Sequence, residues 1–166
     1  DMLAIENPSD RAWIGTAGKD AAAANIPAKR RTLSFALPAG AQDVKLGGGL
    51  HDCCIVIEGG KIIDSMALVP GVSQYRVSYT LPVAAGKTEL AFATPAAVSH
   101  LMVFVPDDGS TVAAEGIGEP GVSSMGGGKT RFYRATNVAA GTAIKLRLSG
   151  ITARAAATAT GGGPAA

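Results

Sequence analysis

Four stretches of this chain alternate apolar and polar residues with a period of two, and that spacing constrains the fold more than any other feature. In RTLSFALP, Leu33, Phe35 and Leu37 fall on one side and Thr32, Ser34 and Ala36 on the other. SQYRVSYTLP sets Tyr75, Val77 and Tyr79 against Arg76, Ser78 and Thr80. TELAFATP sets Leu90 and Phe92 against Glu89 and Ala91, and TAIKLRLSG sets Ile144, Leu146 and Leu148 against Lys145 and Arg147. Successive side chains of a strand point to opposite faces, so each stretch reads as a strand with one face on a core. Turn signals (LPAG, VPG, VAAGK, PDDG, AAG) separate the runs, and MLAIENP adds a first strand. Helical spacing is confined to KDAAAANIPAKR, where Pro27 interrupts it. The expected fold is an all-β antiparallel sandwich of roughly eight to ten strands. It is expected to form one domain over residues 1–151. The stretch 152–166, rich in Ala, Gly and Pro, lacks packing side chains and reads as a flexible tail or linker.

Composition narrows the function. Of the 166 residues, 47% are hydrophobic, enough for a core and against disorder. Only 17% are charged and the net charge is +2, too weak a bias for nucleic-acid binding. The one basic cluster, AKRR at 28–31, reads as a solvated loop. No apolar run approaches the roughly 20 residues of a membrane helix, so no transmembrane segment is expected in these residues. The chain opens on Asp1 rather than Met, as a processed or trimmed chain would.

Chemistry-bearing motifs are sparse. In GGGLHDCCIVIEGG, adjacent strand residues must point to opposite faces. With Glu58 in water, Cys54 and Val56 share its outer face, while Cys53, Ile55 and Ile57 face the core. Cys53 is then expected to be a small core hydrophobe. A disulfide between neighbours needs a strained ring and a local turn. His51, Cys53, His100 and Met102 are ligand types that copper sandwiches use. In the blue-copper pattern, however, Cys, the second His and Met share one late loop, and here they are scattered. No pair has zinc-finger spacing. SSMGGGKT resembles a phosphate loop, but Ser123 stands where the pattern needs glycine, and RFYRATNV alternates like a strand. Asp107 and Asp108 sit in a turn, PDDG, without an EF-hand cluster. Two histidines and no GxSxG elbow leave no triad. No catalytic residue, metal ligand or cofactor is expected.

The segments TLSFALPAGAQDVKL, ALVPGVSQYRVSYTLP, HLMVFVPDDGSTV and NVAAGTAIKLRLSGI resemble bacterial extracytoplasmic immunoglobulin-like and carboxypeptidase-regulatory-like β-sandwich domains. The likeness spans most of residues 1–151, and its motifs are structural. It implies a periplasmic or cell-surface module without catalytic residues, membrane-associated through partners or an anchor.

One surface stands out. HLMVFVP is apolar on both faces: Leu101, Val103 and Val105 can fill the core, leaving Met102 and Phe104 outward. With Val56, Cys54 and the free-looking Trp13 they form the candidate interface. A partner protein would cover it, or a flap from residues 13–30 or 112–128. The expected function is a non-catalytic structural or interaction module, an accessory subunit or domain docking on other protein subunits of a membrane-associated complex, respiratory or photosynthetic in type. The alternative is a carbohydrate- or envelope-binding module with exposed Trp13 or Tyr133 lining a groove. A copper-binding sandwich is third.

Overall fold

The computed structural model describes residues 1–15, 30–125 and 128–152. Twelve strands run through these residues: β1 Met2–Asn7, β2 Leu33–Ala36, β3 Gln42–Gly48, β4 Ile55–Glu58, β5 Lys61–Asp64, β6 Gly71–Thr80, β7 Lys87–Ala93, β8 Val98–Pro106, β9 Thr111–Glu115, β10 Gly121–Met125, β11 Gly128–Val138 and β12 Ala143–Ser149. Every ladder is antiparallel. The all-β sandwich class read from alternation therefore holds. The strands exceed the eight to ten expected because a four-residue strand such as β5 carries too few alternations to register singly. The helical turns expected around 19–30 fall mostly on 16–29, and most of the tail on 153–166, outside the described residues.

The ladders divide into two sets with one winding order. In the first half the sheets are β1-β6-β3 and β2-β5-β4; in the second they are β7-β12-β9 and β8-β11-β10. Adding six to each strand number of the first set gives the second. Every ladder closes within Met2–Thr80 or within Lys87–Ser149. The span 1–151, expected as one sandwich, thus carries the same six-stranded winding twice. Local marks repeat with it. Pro38 and Pro106 each precede a turn containing a positive-φ glycine, Gly40 or Gly109. Gly48 and Gly116 end β3 and follow β9 with φ of +70° and +78°. A Cβ on either would run into a backbone carbonyl of the last strand's first turns, Gln74 or Ala143. Glycine is needed at both places for two reasons, backbone conformation and close approach.

In the first half, side chains from both sheets share one core. Phe35, Leu50, Ile62, Leu68, Tyr75 and Val77 are buried together, with Leu3, Ile5, Val44 and Leu46 packed against them. The rings of Phe35 and Tyr75 meet at 6.0 Å and a 46° tilt. In the second half the buried apolar positions are Val105, Tyr133, Val138, Ile144 and Leu146. Ile144 and Leu146 alternate with exposed Lys145 and Arg147, as the sequence spacing requires. Each fully buried aliphatic side chain of this kind contributes about 1.5–3 kcal/mol.

Replacing Gly48 with Ala should destabilise the protein by about 2 kcal/mol, from the left-handed backbone and the collision with the Gln74 carbonyl. Urea denaturation measures it. Ala at the open, equally left-handed Gly59 meets no neighbour within 4 Å and should cost less.

Candidate functional site

Two copies of one winding separate what the fold needs from what it does not. Features present at equivalent places in both halves serve the winding. Three features lack a counterpart. The connection from β1 to β2 covers residues 8–32, whereas β7 and β8 are joined by 94–97. The link from β3 to β4 contains a 3-10 turn, Asp52–Cys54, whereas the link before β10 is 116–120. The third difference lies on the outward face of β8 and β11.

On β8, Met102 and Phe104 stand outward and are 49% and 48% exposed, at the positions that alternation assigned them. Phe104 pairs with Phe132 and Met102 with Arg134 on β11. The Phe132 ring extends over β10, because a Cβ at Gly121 would collide with that ring. Met102, Phe104 and Phe132 thus make an apolar strip along the sheet. At the matching places of the first half stand Ser34 and Ala36, paired with Ile63 and Lys61. The outward face of the neighbouring sheet is built differently again. There Arg147 on β12 ion-pairs with Glu89 on β7 at 3.0 Å and with Glu115 on β9. One outward face is charged and cross-linked; the other is apolar.

The five candidate interface residues lie on different elements. Val56, 54% exposed, is on β4 opposite Ile63. Cys54 closes the 3-10 turn before it. Trp13 is 50% exposed yet fixed: its backbone exchanges hydrogen bonds with Leu68, and its Nε1 donates to the Thr32 carbonyl at 3.3 Å. These three belong to the first half, Met102 and Phe104 to the second. The flap expected from 112–128 is not formed, since those residues supply β9, β10 and the start of β11. For the 13–30 flap, residues 16–29 lie outside the described residues.

The cysteine expectation needs correction. Cys53 is exposed and Cys54 half-buried, and both thiols are free. The strand begins only at Ile55, because the Cys54 N–H bonds back to the His51 carbonyl at 3.0 Å and closes a turn. Cys53 is therefore not a core residue. Ile57, also assigned to the core, is 51% exposed at the β4 edge, while Ile55 does pack on the core. Beside the turn, Val44 and Leu46 on β3 and Ile55 and Ile57 on β4 line a groove of about 460 Å³, with Lys45 and Asp52 at its margin.

Beneath the turn lies Asp64, which sequence reading missed. Ile62 and Asp64 share a face of β5, and Asp64 is 1% exposed. Its Oδ1 accepts from the Met66 N–H at 2.9 Å. Burial raises its pKa above the ordinary carboxylate range, against the pull of that hydrogen bond and of His51. The Cys54 thiol is also held above its usual range, first by its interaction with the Cys53 thiol and then by desolvation.

The copper residues do not converge. His51 belongs to the turn, while His100 lies on β8 opposite Thr136. Among the described residues no three His, Cys, Asp or Glu side chains are grouped to hold an ion. Of SSMGGGKT, residues 123–125 lie on β10 and 128–130 on β11, so a strand stands where a phosphate loop would open a helix. PDDG is a turn. The Asp108 carboxylate accepts from the Ser110 N–H, and Arg131 Nη2 donates to the Ser110 carbonyl at 2.7 Å. Tyr133 is 2% exposed, in the core of the second half. No helix among the described residues is long and apolar enough to cross a membrane. No family model matches this chain, and neither the curated proteins nor the solved structures contain a match to it.

A carboxyl with a raised folded pKa stabilises most below its unfolded value, about 3.9, and that contribution is lost as pH rises through the folded value. Asp64→Asn removes the loss. Its urea midpoint, compared with wild type from pH 4 to 7, should gain on wild type toward neutrality. A constant difference would contradict a buried, desolvated carboxyl.

Proposed function

We propose that this chain is a non-catalytic interaction module whose outward β8–β11 face docks on a partner protein. The observation that carries the reading is the apolar strip of Met102, Phe104 and Phe132, whose three matching places in the first half are Ser34, Ala36 and Lys61, beside Ile63. The winding is satisfied without large apolar groups at those positions. Leaving them half exposed costs solubility and needs another reason, and binding is the usual one. Arg134, exposed beside Met102, supplies the polar rim common around such strips.

The sequence resemblance to extracytoplasmic immunoglobulin-like and carboxypeptidase-regulatory-like modules supports a partner in a membrane-associated assembly outside the cytoplasm. What supports the likeness is architecture alone, antiparallel sheets around a core. In the immunoglobulin winding one sheet runs A-B-E-D, so its first two strands are neighbours. Here β1 pairs only with β6 and β7 only with β12. The localisation therefore rests on the sequence likeness, and the docking face rests on the exposed strip. A carbohydrate-binding reading is weaker: of its two candidate platforms Tyr133 is buried, which leaves Trp13.

The test is recovery of the chain from native membranes in gentle detergent. Wild type should return with a stoichiometric partner, and Phe104→Asp should return without it. An outward site predicts that Phe104→Asp changes stability by no more than about 0.5 kcal/mol. Recovery of wild type alone, or unfolding of the variant, would remove the reading.

A further inference from the structure

We infer that the Cys53–Cys54 turn is a two-thiolate site for a soft, thiophilic centre of the trivalent-arsenic kind. It has no counterpart in the second half, so the winding does not require it. Cys53 is exposed and Cys54 half-buried, and both are free thiols at adjacent positions of one 3-10 turn. Adjacent thiols can be joined directly or bridged by a third atom, and the backbone decides between these. Neighbouring Cα atoms stand about 3.8 Å apart, below the roughly 4.4 Å minimum of ordinary disulfides. Direct joining therefore requires the intervening peptide to twist. Here that peptide is held through its N–H, and the peptide after it is held through its carbonyl. The Cys54 N–H donates to the His51 carbonyl at 3.0 Å. The Cys54 carbonyl accepts from the Ser65 N–H at 3.0 Å and from Ser65 Oγ at 2.8 Å. A bridging atom leaves these bonds in place, because it spans a wider sulfur separation.

The reaction needs no oxidant. An arsenic(III) oxide and two thiols form two As–S bonds; the oxide oxygen leaves as water with both thiol protons, and arsenic keeps its oxidation state. Soft thiolate ligands select such centres over hard ions.

Phenylarsine oxide is the probe, added to the whole chain while free thiols are counted with a colorimetric reagent. One equivalent should remove both thiols together, and a dithiol should restore them. Cys53→Ser and Cys54→Ser should bind at least about a hundredfold more weakly, because the second sulfur no longer acts at high effective concentration. Circular dichroism should be unchanged in Cys53→Ser, whose side chain is exposed. Independent titration of the two thiols would overturn the site, as would equal affinity in Cys53→Ser.

Discussion

The fold depends on placing the last strand of each six-stranded half in the middle of a sheet. β6 lies between β1 and β3, and β12 lies between β7 and β9. Neither sheet can exist until the chain has nearly run its course, so each half closes as a unit. Both closures are fastened by a buried polar side chain at the end of the first strand. Asn7 donates through Nδ2 to the Leu68 carbonyl at 3.0 Å, and Thr94 donates through Oγ1 to the Ala139 carbonyl at 2.7 Å. Each bond ties the first strand to the loop that feeds the last. A buried polar group is tolerated only when paired, and here the pairing also fixes where the last strand enters.

With closure met in both halves by the same devices, the remaining sequence differences become informative. A strand face that must pack reads alike twice: Phe35 and Val103, Ile62 and Tyr133, Tyr75 and Ile144 stand at equivalent inward places. A face free of that duty is set by solvent or by a partner. Arg147 with Glu89 and Glu115 shows the solvated outcome. The Met102, Phe104 and Phe132 strip shows the other. The dithiol turn and the long β1–β2 connection are additions of the same sort, placed on the first half alone.

What the sequence displayed was the inside and outside of long strands. Tyr75, Val77, Ile144, Leu146 and Val105 are buried, and Arg76, Lys145, Met102 and Phe104 are exposed, because period-two alternation is a local property of the backbone. What it hid was pairing. The two halves share few residues beyond the turn proline, the glycines and the apolar parity, so the repeated winding becomes visible only once the ladders are known. The cysteine error has a similar source. Parity taken backwards from Glu58 through Ile55 puts Cys53 on the core face, but one hydrogen bond from Cys54 to His51 ends the strand at Ile55 and breaks that alternation before it reaches the cysteines. Asp64 was in principle readable, since it shares parity with Ile62 in KIID. A carboxylate is seldom assigned to a core on pattern alone, and its burial depends on β2 and β4 flanking it.

Native-state amide hydrogen exchange, read residue by residue, addresses the repeated winding most directly. Two separate sets of slowest amides are predicted. One centres on β5 and β6 around Ile62, Tyr75 and Val77, and the other on β11 and β12 around Tyr133, Ile144 and Leu146, with the edge strands β1, β3, β7 and β9 exchanging faster. Slow exchange confined to one half, or rapid exchange through β6 or β12, would contradict the account.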